Sequence, residues 1–73
     1  MEYSMIRFLQ QGQPAKTLPC SFDSTAGDIL ALGGGSRQVP PGSSVTVNGT
    51  MSSTDASVKP GDTVALQPNG DLG

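Results

Sequence analysis

The 73-residue chain contains no histidine, no tryptophan and a single cysteine. Without an imidazole there is no Ser-His-Asp or Cys-His arrangement, which removes the commonest general base of nucleophilic catalysis. One cysteine and no histidine cannot build a tetrahedral zinc site or an iron–sulfur site. Cys20 has no partner for an internal disulfide, and small secreted domains usually have several, so the chain reads as cytoplasmic. Cationic residues are also scarce. Arg7, Lys16, Arg37 and Lys59 are the only ones, and they are well separated. A nucleic-acid surface needs several cations on one face, so no nucleic-acid partner is expected. No apolar run approaches the ~20 residues of a membrane span, and Met1-Glu2-Tyr3-Ser4 lacks the basic and apolar regions of a signal peptide. No membrane partner is expected either.

Other groups suggest chemistry but have plainer readings. Asp55 and Asp62 are seven apart and flank a turn, which is not a calcium-loop spacing. Cys20 as a nucleophile has nothing basic beside it in sequence, and its place in an alternating apolar run reads as a packed thiol. Gly33-Gly34-Gly35 lacks the Lys-Ser/Thr pair of a phosphate loop and reads as a flexible connection, with Ser36 giving it a linker's composition. Asn48-Gly49-Thr50 fits a glycosylation acceptor, yet Asn-Gly is first a tight-turn signal. These readings predict a chain with no catalytic residues, no cofactor and no metal.

What is present is turn chemistry between short apolar segments. Ten glycines and six prolines beside 34% hydrophobic residues favour a turn-rich β protein over a helical bundle. Tyr3 to Gln10 alternates, with Ile6 and Phe8 on one face and Met5, Arg7 and Leu9 on the other. Gly12-Gln13-Pro14 breaks the run. Ala15 to Phe22 reads as a second strand with Leu18, Cys20 and Phe22 on one face, and Pro19 marks it as an edge or bulge. The two form a predicted hairpin.

Ser24 or Thr25 then caps a short helix of two to three turns, with Asp28 placed to reach the first-turn amides. Ala26, Ile29 and Leu30 share its apolar face, with Leu32 beside it, and Gly33 is the expected stop. Val45-Thr46-Val47 is an alternating strand closed by Asn48-Gly49. Thr50 to Ser57 is polar and contains at most a short edge strand. Lys59-Pro60-Gly61-Asp62 turns the chain into a last strand, Thr63 to Gln67, which Pro68 ends. The order strand, strand, helix, strand, strand predicts an α+β fold, a mixed sheet of four to five strands with one helix across one face. The expected core is Ile6, Phe8, Leu18, Phe22, Ile29, Leu30, Val45, Val47, Val64 and Leu66. Residues 1–68 form the domain and residues 69–73 a flexible tail.

Three segments resemble the ubiquitin-like β-grasp superfamily, closest to its sulfur-carrier branch, the small subunit of molybdopterin synthase and the thiamine sulfur carrier. Val45-Thr46-Val47-Asn48-Gly49 is similar to the strand and turn V-x-V-N-G of those proteins. Val58 to Leu66 resembles their approach to the last strand, through Gly61-Asp62. Ser24 to Leu30 resembles their helix start. The resemblance covers about two-thirds of the chain and implies a β-grasp fold. It also implies two modes of action. One is a non-catalytic adaptor that docks a protein partner on the exposed sheet face, where strand alternation gives Met5, Arg7, Leu9 and Thr46 as contact candidates, or by edge-strand addition. The other is a carrier or modifier whose terminal glycine carboxylate is adenylated by an activating enzyme. Gly73 supplies such a carboxylate, but Leu72 stands where those families have glycine, which favours docking over carriage.

Overall fold

The structure is a computed structural model that describes residues 4–10, 12–35, 38–39 and 41–68. It contains β1 (Met5–Gln10), β2 (Lys16–Pro19), α1 (Ala26–Gly34), β3 (Ser43–Val47), β4 (Thr50–Ser52) and β5 (Thr63–Pro68). The strands form one sheet in the order β2-β1-β5-β3-β4. The β1–β5 pair is parallel and the other pairs are antiparallel, so the sheet is mixed. The fold is α+β, with one helix packed against one face of the sheet. The proposed tail, residues 69–73, lies outside the described residues.

Alternation decides which side chains the helix covers. Ile6 and Phe8 of β1, Val64 and Leu66 of β5 and Val45 of β3 are buried with Ile29 and Leu30 of α1. Leu18 and Val47 are partly buried and pack against this cluster. Cys20, Ala26 and Val58 complete it. Burying a side chain such as Phe8, Ile29 or Val64 contributes about 1.5–3 kcal/mol, so the few of them in so short a chain carry most of its stability.

Phe22 departs from the expected core and is 74% exposed. The strand ends at Pro19, and the chain turns at once: Ser24 N–H donates to the Ser21 carbonyl, and Ser21 N–H donates to Ser24 Oγ. Alternation stops where that turn begins, so Phe22 rides on the turn and faces out.

The helix starts as its sequence implies. Thr25 is the N-cap, its hydroxyl accepting from Asp28 N–H while the Asp28 carboxylate accepts from Thr25 N–H. This reciprocal pair satisfies two of the amides that a helix start leaves open. Two more go to the segment before β5: Ala26 N–H donates to the Ala56 carbonyl and Gly27 N–H to the Thr54 carbonyl. The stop comes later than expected. Gly33 lies inside the helix, and Gly35, at φ 85°, is the left-handed cap. Gly33 is needed for space. A Cβ there would stand 2.5 Å from Phe8 Cδ2 and 3.0 Å from Leu18 Cδ1. The Lys16 ammonium reaches across from β2 and donates to the Gly33 carbonyl at 3.0 Å, placing a cation at the negative end of the helix.

These contacts give opposite outcomes for adjacent glycines. Gly33→Ala should destabilise the fold by about 1–3 kcal/mol, because the buried Phe8 ring has nowhere to move and overpacking exceeds the helix-propensity gain. Gly34, with nothing within 4 Å of a built Cβ, should accept alanine with no loss or a gain of up to ~1 kcal/mol. Urea unfolding of the two variants is the measurement, and equal midpoints would contradict the packing account.

Candidate functional site

The face of the sheet away from α1 carries the side chains that the core does not use. Leu9 of β1 is registered with Ala65 of β5, Ala65 with Thr46 of β3, and Thr46 with Met51 of β4. A row therefore crosses four strands. Its two middle members are buried, Ala65 at 8% and Thr46 at 7%, while Met51 at one end is 71% exposed. Leu9 at the other end is half-buried. Small side chains in the two interior strands make a shallow floor, and longer ones stand at its ends. Beside the row runs a more polar one, in which exposed Arg7 is registered with Thr17 of β2 and Thr63 of β5. Met5 lies on the same face, half-buried and opposite Pro19.

The structure thus brings Met5, Arg7 and Leu9 together on the open face, as alternation requires. Thr46 needs correction as a contact candidate. It is on that face, but it sits in an interior strand flanked by Ala65 and Met51 and is nearly closed to solvent. Met51 was missed. The polar stretch after Asn48-Gly49 concealed that its only large apolar residue falls directly opposite Thr46. A strict two-residue turn, counted through, places it there. Leu72 and Gly73 lie outside the described residues.

One end of this face is fastened by a compact hydrogen-bonded clamp. Asn48 has φ 55° and Gly49 φ 85°, the two positive values that a type I′ hairpin turn requires. Val47 is registered with Val64, so Asn48 and Thr63 form the next rung of the β3–β5 ladder. Asn48 N–H donates to the Thr63 carbonyl at 2.8 Å. The left-handed backbone turns the Asn48 carbonyl away, and its side chain takes over: Thr63 N–H donates to Asn48 Oδ1 at 3.0 Å. The other half of the amide, Nδ2, donates to Asp62 Oδ1 at 3.1 Å. Asp62 Oδ2 accepts from Lys59 N–H, also at 3.1 Å, which closes the turn around Gly61. Asp62 O then accepts from Arg7 N–H, so the clamp ties β3, β5 and β1 at one end. The Asn48 amide holds the Asp62 carboxyl below the ordinary aspartate value. Slight desolvation pushes the other way, and the Lys59 amide and ammonium add to the lowering.

Among the described residues no group of three His, Cys, Asp or Glu is placed to hold a metal ion. No helix among them is long and apolar enough to cross a membrane. The helix N-terminus is closed to anions, since its first amides are spent on Ala56, Thr54 and Thr25. Cys20 is buried beneath the sheet with its thiol toward the Ser21 carbonyl.

Two outcomes follow from the clamp. Asn48→Ala should cost about 1–3 kcal/mol from the lost side-chain hydrogen bonds, plus about 1 kcal/mol for a left-handed alanine, while Asn48→Gly should lose only the first part. Thermal unfolding of both separates the two contributions. For Asp62 the folded pKa is the depressed one. Its contribution is therefore complete above the unfolded value, ordinarily 3.8, and is lost as pH falls through the lower folded value. Stability measured over acid pH should drop less steeply in Asp62→Ala than in the unaltered chain.

No known family, no curated protein and no solved structure matches this chain.

Proposed function

We propose that this protein is a non-catalytic β-grasp-type interaction module that docks a protein partner on the open face of its sheet. The observation that carries the reading is the row Leu9–Ala65–Thr46–Met51, with Arg7 alongside. Methionine and arginine are favoured at protein interfaces: the thioether side chain adapts to the surface it meets, and the guanidinium offers several fixed donors. The small Ala65 and Thr46 keep the row low between Leu9 and Met51, the ends that a partner's apolar side chains would meet, and Arg7 selects for an acidic group at its margin. Met5, Arg7, Leu9 and Met51 are the contact residues, with Thr46 contributing shape.

The β-grasp assignment draws on the sequence motifs and is compatible with the observed order of five strands and the single helix. Docking on a face fits better than strand addition at an edge. The β2 edge ends in Pro19, and β4 has only three residues, so neither presents a long template for a peptide. A cytoplasmic location is part of the same reading. No described residue favours the alternative, a carrier or modifier activated at Gly73 by an adenylating enzyme.

A photo-crosslinking amino acid at Met51, compared with one at Leu32 on the exposed side of the helix, tests the docking face. The Met51 probe should give a discrete protein adduct that excess unlabelled chain competes away and that Arg7→Glu abolishes without changing the unfolding midpoint. Adducts formed through Leu32 and not Met51 would place the partner on the wrong side for this reading.

A further inference from the structure

The sequence contains two Asn-Gly dipeptides, Asn48-Gly49 in the clamp and Asn69-Gly70 outside the described residues. Glycine after asparagine leaves the following backbone nitrogen unshielded, because there is no side chain to block its approach. That nitrogen can attack the asparagine side-chain carbonyl carbon. A C–N bond forms, the Cγ–Nδ2 bond breaks, and the amide leaves as ammonia, taking up the proton that the backbone nitrogen loses. Water then opens the cyclic imide at either carbonyl, giving aspartate or isoaspartate. The net change is addition of one water and loss of one ammonia, with no other reactant.

In the folded chain both ends of the Asn48 amide are occupied by atoms of the opposite segment. Oδ1 receives Thr63 N–H at 3.0 Å, and Nδ2 is held by the Asp62 carboxylate at 3.1 Å. Asn48 N–H is also fixed, to the Thr63 carbonyl. The attack on Cγ needs the side chain to swing back over its own peptide, which breaks both side-chain bonds. The turn is nevertheless exposed to water and base. We propose that Asn48-Gly49 is a spontaneous deamidation site, held shut by Asp62 and Thr63, whose modification unfastens β3 from β5.

The second half follows from charge and geometry. Replacing the Nδ2 donor with an acid oxygen sets two carboxylates against each other where a hydrogen bond stood, and like charges at that separation oppose joint ionisation. The charge of the Lys59 ammonium offsets them in part. The isoaspartate product also adds a backbone atom to a two-residue turn, whose length fixes the register of Thr46 against Met51.

The test follows each asparagine separately by tandem mass spectrometry during incubation at mildly alkaline pH, so that Asn48 is read apart from Asn69. In the native chain Asn48 should convert about tenfold or more slowly than in the same chain in urea, because reaction requires local opening of the clamp. Asp62→Ala, confirmed as folded by circular dichroism, should speed Asn48 conversion roughly tenfold, since a hydrogen bond to a charged acceptor is lost. Should that variant not fold, Asp62→Asn keeps an acceptor without the charge and should show a smaller acceleration. Conversion of native Asn48 at its rate in urea would overturn the lock, as would a folded Asp62 variant with an unchanged rate. Asn48→Asp imitates the aspartate product. Its unfolding midpoint should fall below that of the unaltered chain at neutral pH, with the deficit shrinking as the carboxylates protonate. An unchanged midpoint at neutral pH would refute the unfastening.

Discussion

The Asn48 side chain completes the ladder between β3 and β5, and the arrangement of the sheet depends on that rung. A left-handed turn residue cannot present its own carbonyl to the neighbouring strand, so the β3–β5 ladder would end one bond short. Asparagine supplies the missing acceptor from its side chain to Thr63 N–H and uses the other half of the same amide to hold Asp62. Asp62 in turn organises the Lys59–Asp62 turn, and its carbonyl receives Arg7 N–H. One side chain thereby links one end of three strands. Register matters here because a slip of one residue would exchange Val45 and Val64 with Thr46 and Ala65 between the two faces.

The two faces answer different demands. The covered face is filled by Phe8, Ile6, Val45, Val64, Ile29 and Leu30, and its packing is close enough that Gly33 is held by lack of space. On the other face the row has small side chains in its two middle strands, Ala65 and Thr46, and longer ones, Leu9 and Met51, at its ends. Ala65 and Thr46 are nearly buried in the two interior strands, while Met51 in the edge strand is exposed. Among the described residues this face presents an apolar row with the exposed Arg7 beside it.

Much of this was legible in order of residues. Alternation in Met5 to Gln10 separated the covered face from the open one, and Asn48-Gly49 and Gly61-Asp62 marked turns whose dihedral requirements few other residues meet. Thr25 and Asp28 fixed the helix start because capping acts over three residues. Phe22 was misassigned because period two was extended past Pro19, where a local Ser21–Ser24 turn takes over. Gly33 was read as a stop on local grounds. The helix continues to Gly34 and is capped by the left-handed Gly35, and Gly33 is glycine because the position next to Phe8 has no room for a Cβ.

What the sequence determined by itself is the set of short-range decisions: where strands alternate, where the helix begins and where left-handed turns fall. All of these act within a few residues and need no partner from elsewhere. Only the tertiary structure decided that β1 and β5 lie side by side in parallel, that Asn48 meets Thr63 and Asp62, and that Leu9, Ala65, Thr46 and Met51 form one row. These pairings join residues distant along the chain, and they are selected by the joint burial of one face under the helix, which no local pattern encodes.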